Sequence, residues 1–248
     1  MRQLLVINPN TSASVSALLQ THVQAAAGLH VSVQTVTARF GAPYIADEAS
    51  YAVASHATLD AWAAALASPG NKPDAVLIGC FGDPGLLALR ESSPVPVTGL
   101  AEASFIEASR HGRFAIVTGG ERWGPMLARL AQALGHAPAL AGIHTVVPTG
   151  AELAADPVAA RTLLTQACRD AVRQLGAQAV ILGGAGLAGM AADIQSGVSV
   201  PIIDSVLSGA RWALRQHAAP PERSKPGFDV PWVNLSPELS SLGLRTTP

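Results

Sequence analysis

The sequence contains few charged residues, few aromatic residues and only two cysteines. Charged residues make up 13% and aromatic residues 4% of the 248 residues, and the net charge is −1. A chain without a basic surplus cannot neutralise many phosphates, which argues against nucleic acid as a partner. Cys80 and Cys168 are too few for a disulfide framework.

Long hydrophobic runs and metal-binding motifs are also missing from the sequence. No apolar run approaches the roughly 20 residues that a membrane helix needs, and the N-terminal segment 1–8 is too short an apolar stretch for a signal peptide. The seven histidines are scattered without metal-ligand spacing, and neither a GxSxG nor a Walker A motif occurs. We therefore expect a cytoplasmic protein with a small-molecule partner, no membrane partner and no metal. The low charge is also compatible with a homo-oligomer.

Short apolar runs alternate with longer helical patterns along the chain. Continuous apolar strands separated by helices are typical of parallel sheets that are covered on both faces. The predicted strands span residues 4–7, 31–36, 75–78, 95–97, 114–117, 180–182 and 202–203, and the predicted helices span 13–27, 49–67 and 158–175. The sequence therefore predicts an α/β fold, with ligands at the carboxyl ends of the strands.

An internal repeat predicts two pseudo-symmetric lobes. The segment 75–80, AVLIGC, is followed by VPV at 95–97, and the segment 179–184, AVILGG, is followed by VPII at 200–203. We expect each lobe to be a short parallel sheet flanked by helices, with a ligand cleft between the lobes. One lobe comprises residues 1–97 and 205–248, and the other comprises 98–204. The proline-rich tail after residue 218 is expected to wrap over the first lobe.

Cys80 follows the third predicted strand and precedes the segment FGDPG. One interpretation places this thiol in the cleft, beside free backbone N–H groups at a helix start, where its pKa would be lowered. The other makes it a small apolar side chain of the core. Cys168 lies in the middle of a predicted helix and is interpreted as a core residue.

Neutral hydrogen-bonding groups stand at other strand ends. Asn8, Asn10 and Thr11 follow the first strand, and Thr118 and Gly119 follow the strand at 114–117. They are candidates for holding a small ligand. Asn and Thr also cap helices routinely, and the two roles can coexist.

Residues 184–189, GAGLAG, formally match the dinucleotide fingerprint GxGxxG, and Asp204 follows at a suitable distance. The 44 residues after Asp204 leave no room for the rest of a dinucleotide fold. The internal repeat explains these glycines better.

Several segments together resemble a known family. They are INPNTS at 7–12, GCFGDPG at 79–85, IVT at 116–118, ERW at 121–123 and VPIID at 200–204. In this combination the chain resembles the hydantoin and allantoin racemase branch of the aspartate/glutamate racemase superfamily. The resemblance implies two lobes, a shared cleft, no cofactor and one cysteine per lobe on opposite faces of the substrate. It also implies a hydantoin- or amino-acid-like substrate that exchanges a proton at its Cα.

The sequence departs from this pattern at the second cysteine. The family reads Leu-Gly-Cys-Ala-Gly where this chain has LGGAG at 182–186, so Gly184 occupies the cysteine's position. Three interpretations follow: a racemase or epimerase with water or an unidentified side chain as second base, a one-thiol decarboxylase resembling arylmalonate decarboxylase, or a non-catalytic binder. The motifs favour the first. We predict Cys80 as the catalytic acid/base, with Asn8, Asn10, Thr11, Phe81, Gly82, Thr118, Gly119, Gly183, Gly184 and Ala185 binding substrate.

Overall fold

Two four-stranded parallel sheets form the framework of the protein. A computed structural model describes residues 1–70, 72–216, 228 and 230–242. The first sheet contains β1 (Arg2–Asn8), β2 (Val31–Thr37), β3 (Ala75–Ile78) and β4 (Val97–Gly99). The second contains β5 (Phe114–Gly119), β6 (Leu140–Val146), β7 (Ala179–Gly183) and β8 (Ile202–Asp204).

The two sheets share one topology. Their strand orders are β2-β1-β3-β4 and β6-β5-β7-β8, with every pair parallel. In each sheet the second strand in the chain lies on one side of the first strand, and the third and fourth strands lie on the other side. The switch points therefore lie between β1 and β3 and between β5 and β7, where open parallel sheets bind ligands.

Ten helices cover the sheets in the described part of the chain. They are α1 (Ala13–Ala27), α2 (Glu48–Ala67), α3 (Leu86–Ser92), α4 (Leu100–Ser109), α5 (Trp123–Ala133), α6 (Gly150–Ala155), α7 (Pro157–Leu175), α8 (Met190–Ile194), α9 (Ser205–Arg215) and α10 (Pro237–Leu242). No helix in the described ranges is long and apolar enough to cross a membrane.

Successive side chains of a strand point to opposite faces of its sheet, and this alternation divides the core into three layers. Leu4, Val6 and Leu77 of the first sheet share a central cluster with Ile116 and Ile181 of the second. The opposite faces pack outward, the first sheet in a cluster with residues of α2 and α3 and the second with residues of α7 and α8. The shared central layer holds the two sheets together and fixes the spacing between their carboxyl ends.

The predicted α/β class, with two lobes that each contain a parallel sheet flanked by helices, is confirmed. One predicted strand is misplaced: β4 begins at Val97, whereas residues 95–97 were expected. Pro96 has no N–H for a ladder and only its carbonyl pairs, accepting from Val76 N. The predicted boundaries between the lobes stay a prediction, and a cut after residue 97 passes through β4.

The described end of the chain lies against the first lobe. Helix α10 contacts α2, and Arg39 forms an ion pair with Glu238 of α10 at 3.0 Å. This arrangement agrees with the expected wrap over that lobe. The predicted wrap begins after residue 218, and its part at 219–227, which includes Pro220, Pro221 and Pro226, lies outside the described residues. Residues 217, 218, 229 and 243–248 lie outside them as well.

Candidate active site

A cavity lies between the carboxyl ends of the two sheets, at both switch points. It has a volume of about 80 Å³. Its lining comes from both lobes: Asn10, Ser12, Val15, Pro43, Tyr44, Ile45, Gly79, Cys80, Phe81, Thr118, Gly119, Trp123, Gly150, Gly183, Gly184, Ala185 and Gly186. These lining residues include no Asp, Glu, Lys, Arg or His, so the chemistry depends on neutral groups and one thiol.

Cys80 reaches the cavity from the end of β3 and is only 8% exposed. Burial and the nearby Asp83 carboxylate raise the pKa of its thiol well above the ordinary value. The interpretation in which backbone N–H groups lower this pKa is therefore wrong. The N–H groups of Gly82 and Asp83 donate back to the Cys80 carbonyl oxygen, and α3 begins only at Leu86.

Buried contacts fix the loop that carries Cys80. The Asp83 carboxylate accepts hydrogen bonds from the Ala101 and Glu102 amides at 2.9 and 2.8 Å, at the start of α4. The backbone φ of Asp83 is +51°, an unusual conformation for a residue other than glycine, and these hydrogen bonds help to hold it. The Tyr51 hydroxyl donates to the Gly82 carbonyl oxygen at 2.8 Å. Both contacts fix the backbone on either side of Gly82 and so orient the neighbouring thiol.

Asp83 is expected to make the stability of the protein depend on pH. Burial raises its pKa to about 7, against an unfolded value of about 4. The folded state then binds the proton more tightly, so the free energy of unfolding should fall as pH rises from about 4 to about 7 and level off above. Urea titrations across this range should show that slope in the wild type and a smaller one in Asp83→Asn. Equal slopes of unfolding free energy against pH in the two proteins would contradict the raised pKa of Asp83.

The second-lobe wall is built mostly of glycine. Gly184 has φ +141°, a conformation that L side chains rarely adopt, although a Cβ there would meet only Leu187 at 3.6 Å. Its amide donates to Ser205 Oγ at 3.2 Å. A Cβ at Gly183 would lie 2.2 Å from the Phe81 ring. The wall therefore has space at position 184 but a glycine backbone, and Phe81 packs directly on Gly183.

The structure brings seven of the ten predicted substrate-binding positions together with Cys80 at the cavity. Cavity-lining positions among them are Asn10, Phe81, Thr118, Gly119, Gly183, Gly184 and Ala185. Asn8, Thr11 and Gly82 are not part of that lining. The Asn8 side chain is occupied by the turn before α1, where it donates to Ser12 O and Ser16 Oγ and accepts from the Asn10 amide.

Sequence reasoning missed the residues that the loop after β2 and the start of α5 contribute. Pro43, Tyr44 and Ile45 come from that loop, and Trp123 is the first residue of α5. The Tyr44 hydroxyl donates to Gly119 O at 3.3 Å and accepts from Trp123 Nε1 at 3.2 Å. Trp123 stood in the ERW motif, but no periodic pattern marks the loop.

Cys168 lies away from the cavity. It is fully buried in α7, within the cluster that covers the outer face of the second sheet, and burial raises the pKa of its thiol to about 12. Among the residues whose placement is described, no group of three or more His, Cys, Asp and Glu side chains could hold a metal.

The fold and the site define a two-lobed α/β protein with one thiol at a small cavity between two equivalent parallel sheets. A family model described as Asp/Glu/hydantoin racemase matches residues 4–213. The chain belongs to the Asp/Glu/hydantoin racemase family and is a racemase-type enzyme.

Relatives in sequence and structure agree with this assignment. A hydantoin racemase of Paenarthrobacter aurescens is 33% identical over 218 residues, which cover 85% of this chain and 89% of the relative. An allantoin racemase from Klebsiella pneumoniae has a TM-score of 0.82 at 28% identity, covering 98% of this chain and 99% of that one. An allantoin racemase from Pseudomonas fluorescens has a TM-score of 0.81 at 26% identity, covering 90% and 98%.

Proposed function

We propose that the protein transfers a proton at the Cα of a hydantoin-like small molecule, with Cys80 as the acid/base and without a cofactor. The observation that carries the proposal is the position of Cys80 in the interlobe cavity, at the switch point of the first sheet. The similarity to hydantoin and allantoin racemases supports the substrate class. The predicted localisation in the cytoplasm and the homo-oligomer stay predictions.

The chemistry needs a base near C5 and donors for the ring oxygens. The C5–H of a hydantoin is activated by the adjacent carbonyl, and removal of its proton places charge on that oxygen. Hydrogen-bond donors aimed at the developing charge lower the barrier in a site that excludes water. Asn10 and Thr118, which line the cavity with Cys80, are suited to this role. Catalysis then depends on how readily Cys80 forms a thiolate.

The raised pKa of Cys80 leads to a pH dependence. The thiolate fraction of the free enzyme rises about tenfold per pH unit below the thiol pKa, and this pKa lies above its ordinary value. The kcat/KM for C5 hydrogen exchange, corrected for the uncatalysed rate, should therefore climb steadily from pH 7 to pH 9. Initial rates in buffers of constant ionic strength measure it. A plateau below pH 8 would show that the thiol ionises more easily than its burial implies.

A one-thiol decarboxylase is the second candidate, because Gly184 supplies no thiol on the second-lobe wall. In that reaction CO₂ leaves a malonate and Cys80 protonates the enolate on one face. The apolar side chains of Val15, Ile45 and Phe81 in the lining offer a place for the departing group.

A panel of substrates separates the two candidates. The enzyme is incubated with an enantiopure 5-substituted hydantoin, with allantoin and with an arylmalonate, while optical rotation and CO₂ release are followed. Change of rotation with a hydantoin or allantoin supports the proposed function. CO₂ release from the malonate without exchange on the hydantoins favours the decarboxylase. Saturable binding without either reaction would leave only a binder.

A further inference from the structure

A phenol stands on the side of the cavity that lacks a thiol. Tyr44 comes from the first lobe, but its hydroxyl contacts the second, at Gly119 O and at Trp123 Nε1. The backbone amide of Gly150 is a further hydrogen-bond partner of this phenol. Tyr44 therefore spans the cleft and presents its oxygen to the wall opposite β3.

The pairing of β5 with β7 relates this phenol to Gly184. Thr118 is the register partner of Gly183, so Gly119 and Gly184 are the next residues at adjacent strand ends. Neighbouring strands are about 4.8 Å apart. The Tyr44 hydroxyl, bonded to Gly119 O, thus lies one strand away from the position where the family pattern has its second cysteine.

Few groups in the cavity can give a proton to a carbanion. Among the described lining residues, the hydroxyl and thiol groups belong to Ser12, Tyr44, Cys80 and Thr118. A phenol is a far stronger acid than an aliphatic hydroxyl. Its bond to Gly119 O, at 3.3 Å, is longer than the usual O–H···O distance of about 2.7–2.8 Å, so little is lost when the proton turns to a ligand.

We infer that Tyr44 delivers the proton on the substrate face opposite Cys80, in the role of the cysteine that position 184 lacks. This inference rests on the proposed function. The Cys80 thiolate takes the C5 proton, forming S–H as C5–H breaks and the electron pair moves to the carbonyl oxygen. The Tyr44 O–H then breaks, and the returning pair forms a new C5–H bond on the other face. The phenolate, held by Trp123 and Gly150, and the Cys80 thiol return to their starting states by exchange with solvent.

The two tyrosines of the chain provide a matched pair of variants. Tyr51 is also half-buried, but its hydroxyl supports the Cys80 loop, and Tyr51 does not line the cavity. Tyr44→Phe and Tyr51→Phe are compared with the wild type on an enantiopure 5-substituted hydantoin in D₂O. Proton NMR measures exchange at C5, and optical rotation measures inversion. The ratio of inversion to exchange is the readout, because loss of folded protein lowers both rates together and leaves their ratio unchanged.

In Tyr44→Phe we expect the ratio to fall at least about tenfold, since a general acid contributes about 10²–10⁴-fold. The remaining substrate should then gain deuterium with its configuration retained. Tyr51→Phe should keep the wild-type ratio. An unchanged ratio in Tyr44→Phe overturns the inference. Exchange without inversion in the wild type also overturns it, but leaves proton transfer by Cys80 on one face intact. Absence of wild-type exchange on every hydantoin overturns the proposed function and this inference with it.

Discussion

Replacing Cys80 by alanine is expected to reduce C5 hydrogen exchange by about 10²–10⁴-fold, the usual contribution of a positioned acid or base. Cys80 supplies the thiol of the cavity, and the described lining contains no carboxylate, imidazole or amine to replace it. Deuterium incorporation at C5 of an enantiopure hydantoin, followed by proton NMR, measures the effect.

Cys168→Ala is the matched control, since it removes the other buried thiol from α7, away from the cavity. It should retain exchange within a few-fold of the wild type once the folded fraction is corrected. Comparable losses in the two variants would indicate a general effect of removing a buried thiol. Retained exchange in Cys80→Ala would remove Cys80 from the mechanism.

Truncating Phe81 to alanine is expected to destabilise the protein by about 3–5 kcal/mol, the range for large buried aromatic side chains. The ring is only 4% exposed, and it meets Phe105 of α4 edge-on at 6.2 Å between centroids. It also covers Gly183 and lines the cavity, so its loss opens a void beside Gly183. Urea unfolding with a fluorescence readout measures the change.

Phe40→Ala is the comparison, because Phe40 is half-buried in the loop after β2 and its ring contacts His56 rather than the second lobe. The decrease in the free energy of unfolding should be clearly smaller in Phe40→Ala than in Phe81→Ala. A change below about 1 kcal/mol in Phe81→Ala would show that the lobes do not depend on this ring for their packing.

Local signals explain which elements the sequence predicted well. The limits of α1 follow from Ser12, whose side chain accepts from Val15 N, and from Gly28, which ends the helix with φ +75°. The repeat of 75–80 at 179–184 predicted two equivalent sheets. By contrast, β6 is a half-buried edge strand with a glycine in its interior, and it carries no continuous apolar run.

The site residues at strand ends could be predicted from the sequence, whereas those in loops could not. Cys80, Thr118 and Gly184 lie at the carboxyl ends of strands, so their convergence follows from the parallel topology. Tyr44 lies in an irregular loop, and only tertiary contacts bring its hydroxyl to Gly119 and Trp123. Of the two interpretations of Cys80, the one with a lowered pKa is wrong, because the shift depends on burial, which the sequence pattern does not measure.

Gly184 shows what the sequence and the structure each contribute to the description of the site. The resemblance predicts that Gly184 stands where the family has a cysteine, and the structure shows that the φ of Gly184, +141°, suits glycine. A cysteine introduced there would need a different local backbone, so the second face of the cavity is specialised around glycine.

Hydrogen exchange at C5 by the wild-type enzyme tests the central claim most directly. Each pure enantiomer of a 5-substituted hydantoin is incubated with enzyme in D₂O, and the C5 proton signal is compared with an enzyme-free sample. We expect the signal to decay faster with enzyme, at least for the enantiomer whose C5–H faces Cys80, and to decay at the enzyme-free rate with Cys80→Ala. A C5 signal that decays no faster with folded wild-type enzyme, for both enantiomers and for allantoin, would contradict proton transfer by Cys80 on this class of substrate.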